Sequence, residues 1–203
     1  MTFLETILGE ILQVFKNEGI ETNSEQNLIK RLDIRQSTFH ELFSDKGDMV
    51  KKTVAFDLEE QKRAHAAILA EASSAVEKII ILLQDGIKNI RQTNPAYVID
   101  LRTHYPEAWQ MCLDHLNSFS YHEISGILNE GILSGDFRKD INIQLVTKII
   151  LEQLNMMLNP TVFPPDYFNL AEVFRSIYLY YVRGLCTERG GKLAEEIFSR
   201  LTS

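Results

Sequence analysis

The chain of 203 residues has only two cysteines and no apolar run long enough to cross a membrane. Cys112 and Cys186 are too few and too far apart for a disulfide framework, and neither belongs to a paired metal-ligand spacing, so we expect a reducing compartment. Glu5, Glu10 and Gln13 interrupt the apolar positions near the N-terminus, which therefore lacks the pattern of a secretory signal. No stretch approaches the roughly 18 apolar residues of a membrane span. The sequence predicts a soluble, cytoplasmic protein without a membrane partner.

The motifs of the common enzyme classes are also missing. Gly190 and Gly191 stand alone between predicted helices and form no phosphate-cradling loop, and there is no HExxH pair and no recognisable Ser or Cys nucleophile motif. His122 and Glu123 are adjacent, so on a helix their side chains diverge by about 100° and do not face each other. We therefore predict that the protein is not an enzyme and that it has no cofactor and no metal site.

The sequence also lacks the alternation of apolar and polar residues that is typical of strands. Its local start and stop signals are those of helices. Thr2 and Glu5 form a capping-box pattern, and Gly19 supplies the stop for that helix. Asn94 followed by Pro95 is typical of another helix start. The sequence predicts an all-α fold. From residue 44 onward we expect helices over about 44–72, 76–90, 107–134, 142–158, 167–186 and 192–201.

Two short amphipathic segments meet at an abrupt turn within the first fifty residues. Ser24 is a good N-cap, and Leu28 and Leu32 give the first segment an apolar face. Asp33 falls where the chain must reverse, because a short acid tolerates the left-handed conformation better than most non-glycine residues. The side chain of Ile34, the next residue, is expected to be buried between the two segments. The pattern predicts a short helix and a tight turn.

The second segment has its own apolar face. Phe39 and Phe43 lie four residues apart and are expected to pack onto the first segment. This spacing predicts a helix-turn-helix whose second helix presents its polar side chains to a DNA major groove. The outward-facing residues are Gln36, Ser37, Thr38, His40 and Glu41.

This arrangement resembles the TetR family of transcriptional regulators, whose signature holds a helix N-cap, a small-residue turn and a Thr-apolar-Tyr-x-x-Phe run that ends in a Lys at the next helix start. Here the run begins at Thr38 as TFHELF and is followed by Lys46. The resemblance implies that Thr38, His40 and Lys46 contact phosphates, and that Gln36 and Ser37 lie closest to base edges. The implied DNA-binding residues are Ser24, Arg35, Gln36, Ser37, Thr38, His40 and Lys46.

The same resemblance implies the organisation of the whole chain. Residues 1–46 are expected to form a three-helix, helix-turn-helix DNA-binding domain, and residues 47–203 a larger helical domain for ligand binding and dimerisation. The implied function is a ligand-responsive regulator, a repressor that binds palindromic, double-stranded operator DNA as a homodimer. We call the expected DNA-binding domain, residues 1–46, the DNA reader. We expect the helix that starts at Ser44 to be the only covalent link between the DNA reader and the helices around Trp109.

Positive charge is scarce for a DNA-binding protein. The net charge is −7, and the first fifty residues carry five basic against nine acidic side chains. Nonspecific affinity for DNA should therefore be weak. Lys46, Lys51 and Lys52 are close in sequence, and helix N-termini present backbone donors to phosphates whatever the net charge. The acidic balance supports the main alternative, a helical dimeric binding or scaffold protein of the same fold that has lost operator binding.

Aromatic and polar residues cluster around the segment that follows Pro106. Trp109, Cys112, Leu116 and Phe119 share one face at helical spacing. A mostly apolar cavity with a few polar groups is the usual form of an effector site, so this cluster predicts a small apolar or aromatic effector. The alternative is that the stripe is ordinary core. The candidate ligand-binding residues are Tyr97, Trp109, Cys112, His115 and Phe119.

The last two long helices carry apolar stripes with more surface than one small core requires. In the family that the sequence resembles, such helices pair with those of a second subunit as a four-helix bundle, which makes them the implied dimer interface. The alternative is that they complete a monomeric core. The candidate interface residues are Ile150, Leu154, Phe174, Ile177 and Tyr181.

Overall fold

The computed structural model is built from helices, as the sequence predicts. It describes the backbone of residues 2–157, 159, 161–164 and 166–202, and the side chains of these residues apart from those at positions 83, 87, 154, 155, 170, 171, 174, 178, 179 and 198–202. Within these described residues no helix is both long and apolar enough to span a bilayer. The helices are α1 (Phe3–Glu18), α2 (Glu25–Arg31), α3 (Gln36–Leu42), α4 (Lys46–Ala70), α5 (Ala75–Gln92), α6 (Pro95–His104), α7 (Pro106–His115), α8 (Tyr121–Ser134), α9 (Ile143–Met157), α10 (Leu170–Leu185) and α11 (Glu188–Thr202), with a π-helical turn at Leu116–Ser120 between α7 and α8.

The chain divides into two compact units. The first unit comprises residues 1–64 and 92–115, and the second unit comprises residues 65–91 and 116–203. The chain therefore passes between the units three times, within α4, at the end of α5 and at the junction of α7 with the π-helical turn. The chain runs from the DNA-binding segment into α4, as expected, but α7 belongs to the same unit as that segment, so packing contacts also join it to the region of Trp109. The functional boundary after residue 46 stays a prediction.

Local signals set the ends of α1. The Thr2 hydroxyl accepts a hydrogen bond from the Glu5 N–H, and the Glu5 carboxylate accepts one from the Thr2 N–H at 2.7 Å, which completes the predicted capping box. Gly19 ends the helix with φ +87°, a conformation that favours glycine. A Cβ at this position would also lie only 3.0 Å from Ala96 Cβ, so close packing against α6 requires glycine as well.

The segment predicted as one helix over 107–134 contains a π-helical turn. Residues of α7 pack against the core of the first unit, whereas Leu116 packs against the core of the second unit. A π turn inserts an extra residue into the helical repeat and rotates all following side chains about the axis. Trp109 lies before this turn and packs against the core of the first unit, whereas Phe119 lies within the turn.

The start of α11 is locked onto the turn that follows α8. Phe137 and Cys186 form an isolated antiparallel bridge, and Thr187 donates its N–H to the Asp136 carbonyl oxygen at 2.9 Å. A Cβ on Gly190 would lie 2.0 Å from that same oxygen. The expectation that Gly190 and Gly191 stand between helices is wrong, because α11 begins at Glu188 and includes both. The close contact between backbones explains why position 190 is a glycine.

Candidate nucleic-acid interface and effector site

The helix-turn-helix forms as the sequence predicts. The Ser24 hydroxyl accepts the Asn27 N–H at 3.2 Å and caps α2, and Asp33 has φ 49° in the left-handed region. Phe39 and Phe43 are 2% and 1% exposed, and their rings meet edge to face with centroids 5.0 Å apart. Ile34, which the sequence predicts to be buried, is only half-buried. The burial of the two rings fixes which face of α3 points outward.

That outward face carries the predicted DNA-contacting residues. Arg35 is the N-cap residue of α3 and makes no side-chain cap hydrogen bond. Its guanidinium is exposed, and within the described part of the chain it takes part in no ion pair. Thr38 is half-buried. The exposed residues of the face are Gln36, Ser37, His40 and Glu41.

Most basic side chains of the first unit contact carboxylates of the same unit. Lys46 Nζ lies 2.9 Å from Glu21 Oε1, and His40 Nε2 lies 2.6 Å from Glu25 Oε1. Two of the three residues expected to touch phosphates are therefore engaged within the chain. The other pairs are Lys16 with Asp57, Arg31 with Glu18, Lys51 with Glu107, Lys52 with Asp48, Lys62 with Glu59 and Arg63 with Glu60.

Sequence reasoning missed the contact that α6 makes with the loop between α1 and α2. The Asp100 carboxylate accepts the backbone N–H groups of Ile20 and Glu21 at 2.7 and 3.0 Å. Asn94 donates its backbone N–H to the Lys16 carbonyl oxygen and its side-chain N–H to the Asn17 carbonyl oxygen. It thus supplies hydrogen-bond donors to carbonyl groups that the last turn of α1 leaves without partners within the helix. These partners are about eighty residues apart in sequence, and the N-cap pattern at Asn94 and Pro95 predicts only the start of α6 and not this contact.

The predicted effector residues are distributed over both units. Tyr97 is buried in the first unit, where Trp109 and Cys112 pack against the core, and burial raises the pKa of the Cys112 thiol to about 12. His115 is buried at the end of α7. Phe119 belongs to the π-helical turn of the second unit. The assignment of these five residues to one effector site stays a prediction.

A charged cluster that the sequence did not reveal lies in the second unit beside Phe119. His65 Nδ1 is 2.9 Å from Glu123 Oε2, and its Nε2 is 3.6 Å from Asp85 Oδ2. The side chains of His65, Asp85 and Glu123 are 18%, 26% and 11% exposed. Asp85 and Glu123 raise the pKa of His65 to about 9, so the ring is charged at neutral pH. The Phe119 ring centroid lies 6.4 Å from that of His65.

Among the candidate dimer residues, those whose side chains are described pack in the core of their own unit. Ile150 is 4% exposed, and Ile177 and Tyr181 are partly buried against the same core. The side chains of Leu154 and Phe174 lie outside the described residues. The same two helices also carry large exposed apolar side chains that the sequence analysis did not single out. These are Leu145 at 57%, Met156 at 40% and Tyr180 at 73%.

The sequence matches no protein-family model and no curated protein. The fold, in contrast, matches many solved structures. It is similar to a TetR-family transcriptional regulator from Agrobacterium tumefaciens with a TM-score of 0.70 and 17% identity, over 91% of this chain and 97% of that one. The chain has the TetR fold. This result confirms the fold that the helix-turn-helix motif implied.

Two further solved structures show how widely the fold is shared. FadR from Bacillus subtilis, a transcriptional regulator in complex with stearoyl-CoA, is 18% identical with a TM-score of 0.67, over 91% of this chain and all of that one. A structure described as the superantigen pfit is 16% identical with a TM-score of 0.60, over 92% of this chain and 90% of that one. At such identities the TetR fold is established, and function must be argued from the residues of this chain.

Proposed function

We propose that the protein is a transcriptional regulator that binds operator DNA through α3. The observation that carries this proposal is the polar outer face of α3, which is held outward by the buried Phe39 and Phe43 and preceded by the left-handed turn at Asp33. A short helix presented in this way fits the major groove. Gln36 is the best candidate to read a base, because its amide makes two hydrogen bonds to adenine.

The proposal is tested by selecting DNA from a random duplex library with the full chain. We expect enrichment of two inverted half-sites about 34 Å apart, because a twofold dimer places one α3 in each of two successive major grooves. Enrichment of a single half-site would support the DNA reader and contradict the dimer. A library that stays random over the whole range from low to physiological salt would overturn the proposal, because phosphate contacts dominate at low salt and carry no sequence information, whereas base contacts should select a sequence as the salt concentration rises.

We also propose that the chain acts as a homodimer through α9 and α10. Exposed apolar side chains on these neighbouring helices, Leu145, Met156 and Tyr180, support this part of the proposal, since a second copy that packs on the two helices would remove them from water. Ile150 and Ile177, on the same two helices, pack in the core of the second unit.

Tyr180→Glu is expected to shift the protein from dimer to monomer, because it would bury an unpaired charge in each copy of the interface. Sedimentation at several protein concentrations measures the shift, which should be at least about tenfold in the dimer dissociation constant. Leu133→Glu is the matched control, since Leu133 is 80% exposed on α8 and outside the two helices. If both variants remain dimers, the interface lies elsewhere.

For the effector we propose a small apolar or aromatic compound that binds in the second unit near Phe119. The π-helical turn supports this assignment, because such turns occur frequently at functional sites. The cluster of His65, Asp85 and Glu123 beside the ring supplies the polar groups that orient a ligand in a mostly apolar site. The proposed site lies in the second unit and therefore does not include the other four candidate residues, which belong to the first unit: Tyr97, Trp109, Cys112 and His115.

A second candidate function is a binding or scaffold protein that keeps the TetR fold without operator binding. The pairing of Lys46 with Glu21 and of His40 with Glu25 favours it, because both side chains are engaged by carboxylates of the same chain. The likeness to the superantigen pfit is a reminder that the fold alone does not determine the function. The DNA selection separates the two candidates, since only the regulator enriches a sequence.

A further inference from the structure

The Lys46 ammonium and the Tyr105 hydroxyl converge on one oxygen of Glu21. Lys46 Nζ is 2.9 Å and Tyr105 Oη 2.6 Å from Glu21 Oε1, and both groups donate to it. Lys46 is the first residue of α4, and Tyr105 lies between α6 and α7. All three residues belong to the first unit. A residue expected to touch a DNA phosphate is thus tied to the segment that carries Trp109.

The Glu21 carboxylate is held in this position from two sides. Asp100 accepts the Glu21 backbone N–H at 3.0 Å, and the Tyr105 hydroxyl fixes the carboxylate itself. Tyr105 and Lys46 keep the pKa of Glu21 below its usual range, so that Glu21 is ionised at neutral pH. The Glu21 and Lys46 side chains are 44% and 30% exposed, so a phosphate of an approaching DNA strand has access to the same ammonium.

We propose that Glu21 competes with the DNA backbone for Lys46 and so restrains DNA binding, and that Tyr105 is the residue that positions Glu21 for this competition. The inference rests on the proposed DNA-binding function. When DNA binds, Lys46 must exchange the carboxylate for a phosphate, and the negative charge of Glu21 then faces the DNA backbone without its partner. A half-exposed ion pair is weak enough for DNA to break. Glu21 therefore lowers the affinity without preventing binding.

The expected effects follow from this exchange. Glu21→Gln should tighten binding to a labelled duplex of random sequence about fivefold, and should steepen the salt dependence by about one unit, because Lys46 then gains a full phosphate contact. Tyr105→Phe keeps the ring and releases the Glu21 carboxylate, so it should move both quantities in the same direction by less. Lys46→Ala should weaken binding in the parent chain, because it leaves the Glu21 carboxylate unpaired beside the DNA backbone, and should remove most of the gain in the Glu21→Gln background, where the phosphate contact of Lys46 is lost.

Fluorescence anisotropy over a series of salt concentrations measures these quantities, with the full chain and each variant checked for native helical content. Glu10→Gln is the matched control, because it removes the same charge from an exposed position of α1. If Glu21→Gln binds the duplex with the affinity and salt slope of this control, while the parent chain binds measurably, the competition is refuted and the DNA reader stands. If neither the parent nor any variant binds DNA at low salt, the inference falls together with the proposed function.

Discussion

Replacing Gly190 with alanine is expected to destabilise the second unit by about 3 kcal/mol, whereas the same change at the neighbouring Gly191 is expected to stabilise it slightly. The new Cβ at Gly190 would lie 2.0 Å from the Asp136 carbonyl oxygen, which is a backbone atom and cannot rotate away. Relief requires that the start of α11 separates from the turn after α8, with loss of the hydrogen bond from Thr187 N–H to Asp136.

Gly191 supplies the matched control because a Cβ at that position meets no atom within 4 Å. Alanine in a helix is favoured over glycine by up to about 1 kcal/mol, so Gly191→Ala should raise the unfolding midpoint. Denaturant unfolding followed by circular dichroism compares the two variants. Equal stabilities, or a stable Gly190→Ala chain, would contradict the close contact between α11 and Asp136.

The second large effect concerns pH and the cluster of His65, Asp85 and Glu123. The pKa of His65 is raised to about 9, above the ordinary value of 6.5. A raised pKa means that the folded state holds its proton more tightly than the unfolded chain does. The resulting stabilisation is fully present below about pH 6.5 and is lost as the pH rises through 9. The free energy of unfolding should fall by up to about 3 kcal/mol across this window.

His65→Gln tests this assignment because glutamine keeps a hydrogen-bonding group but cannot be charged. Between pH 6.5 and 8.5, below the ordinary pKa of the thiols, the parent chain should lose stability with rising pH, and the variant should lose much less. Denaturant titrations at each pH give both curves. Parallel curves for parent and variant would show that His65 does not carry the pH dependence.

Local features of the fold were predictable from the sequence, and the helix-turn-helix illustrates why. The Ser24 cap, the left-handed turn at Asp33 and the buried pair Phe39 and Phe43 each depend on residues within a few positions of one another. Such short-range rules need no knowledge of the rest of the chain. The general fold followed because this motif and the helix punctuation together point to one architecture.

The features that sequence reasoning missed depend on residues far apart in the chain. Asp100 binds the backbone at Ile20 and Glu21, and Tyr105 binds the carboxylate of Glu21, across about eighty residues. Nothing local marks such partners. Sequence reasoning missed the π-helical turn at Leu116–Ser120 for a different reason. The predicted stripe assumed a regular repeat of 3.6 residues, and the extra residue of the turn breaks that repeat.

The most direct test of the central claim repeats the DNA selection with Gln36→Ala and with Gln26→Ala. Both glutamines are exposed, Gln36 on α3 and Gln26 on α2, so the two variants lose the same chemical group from different helices. If α3 reads DNA, Gln36→Ala relaxes the preference at one position of each half-site and weakens binding by about 1–3 kcal/mol, while Gln26→Ala selects the same sequences as the parent. Identical sequences selected by the parent and by Gln36→Ala would contradict the claim that the exposed face of α3 is the DNA reader.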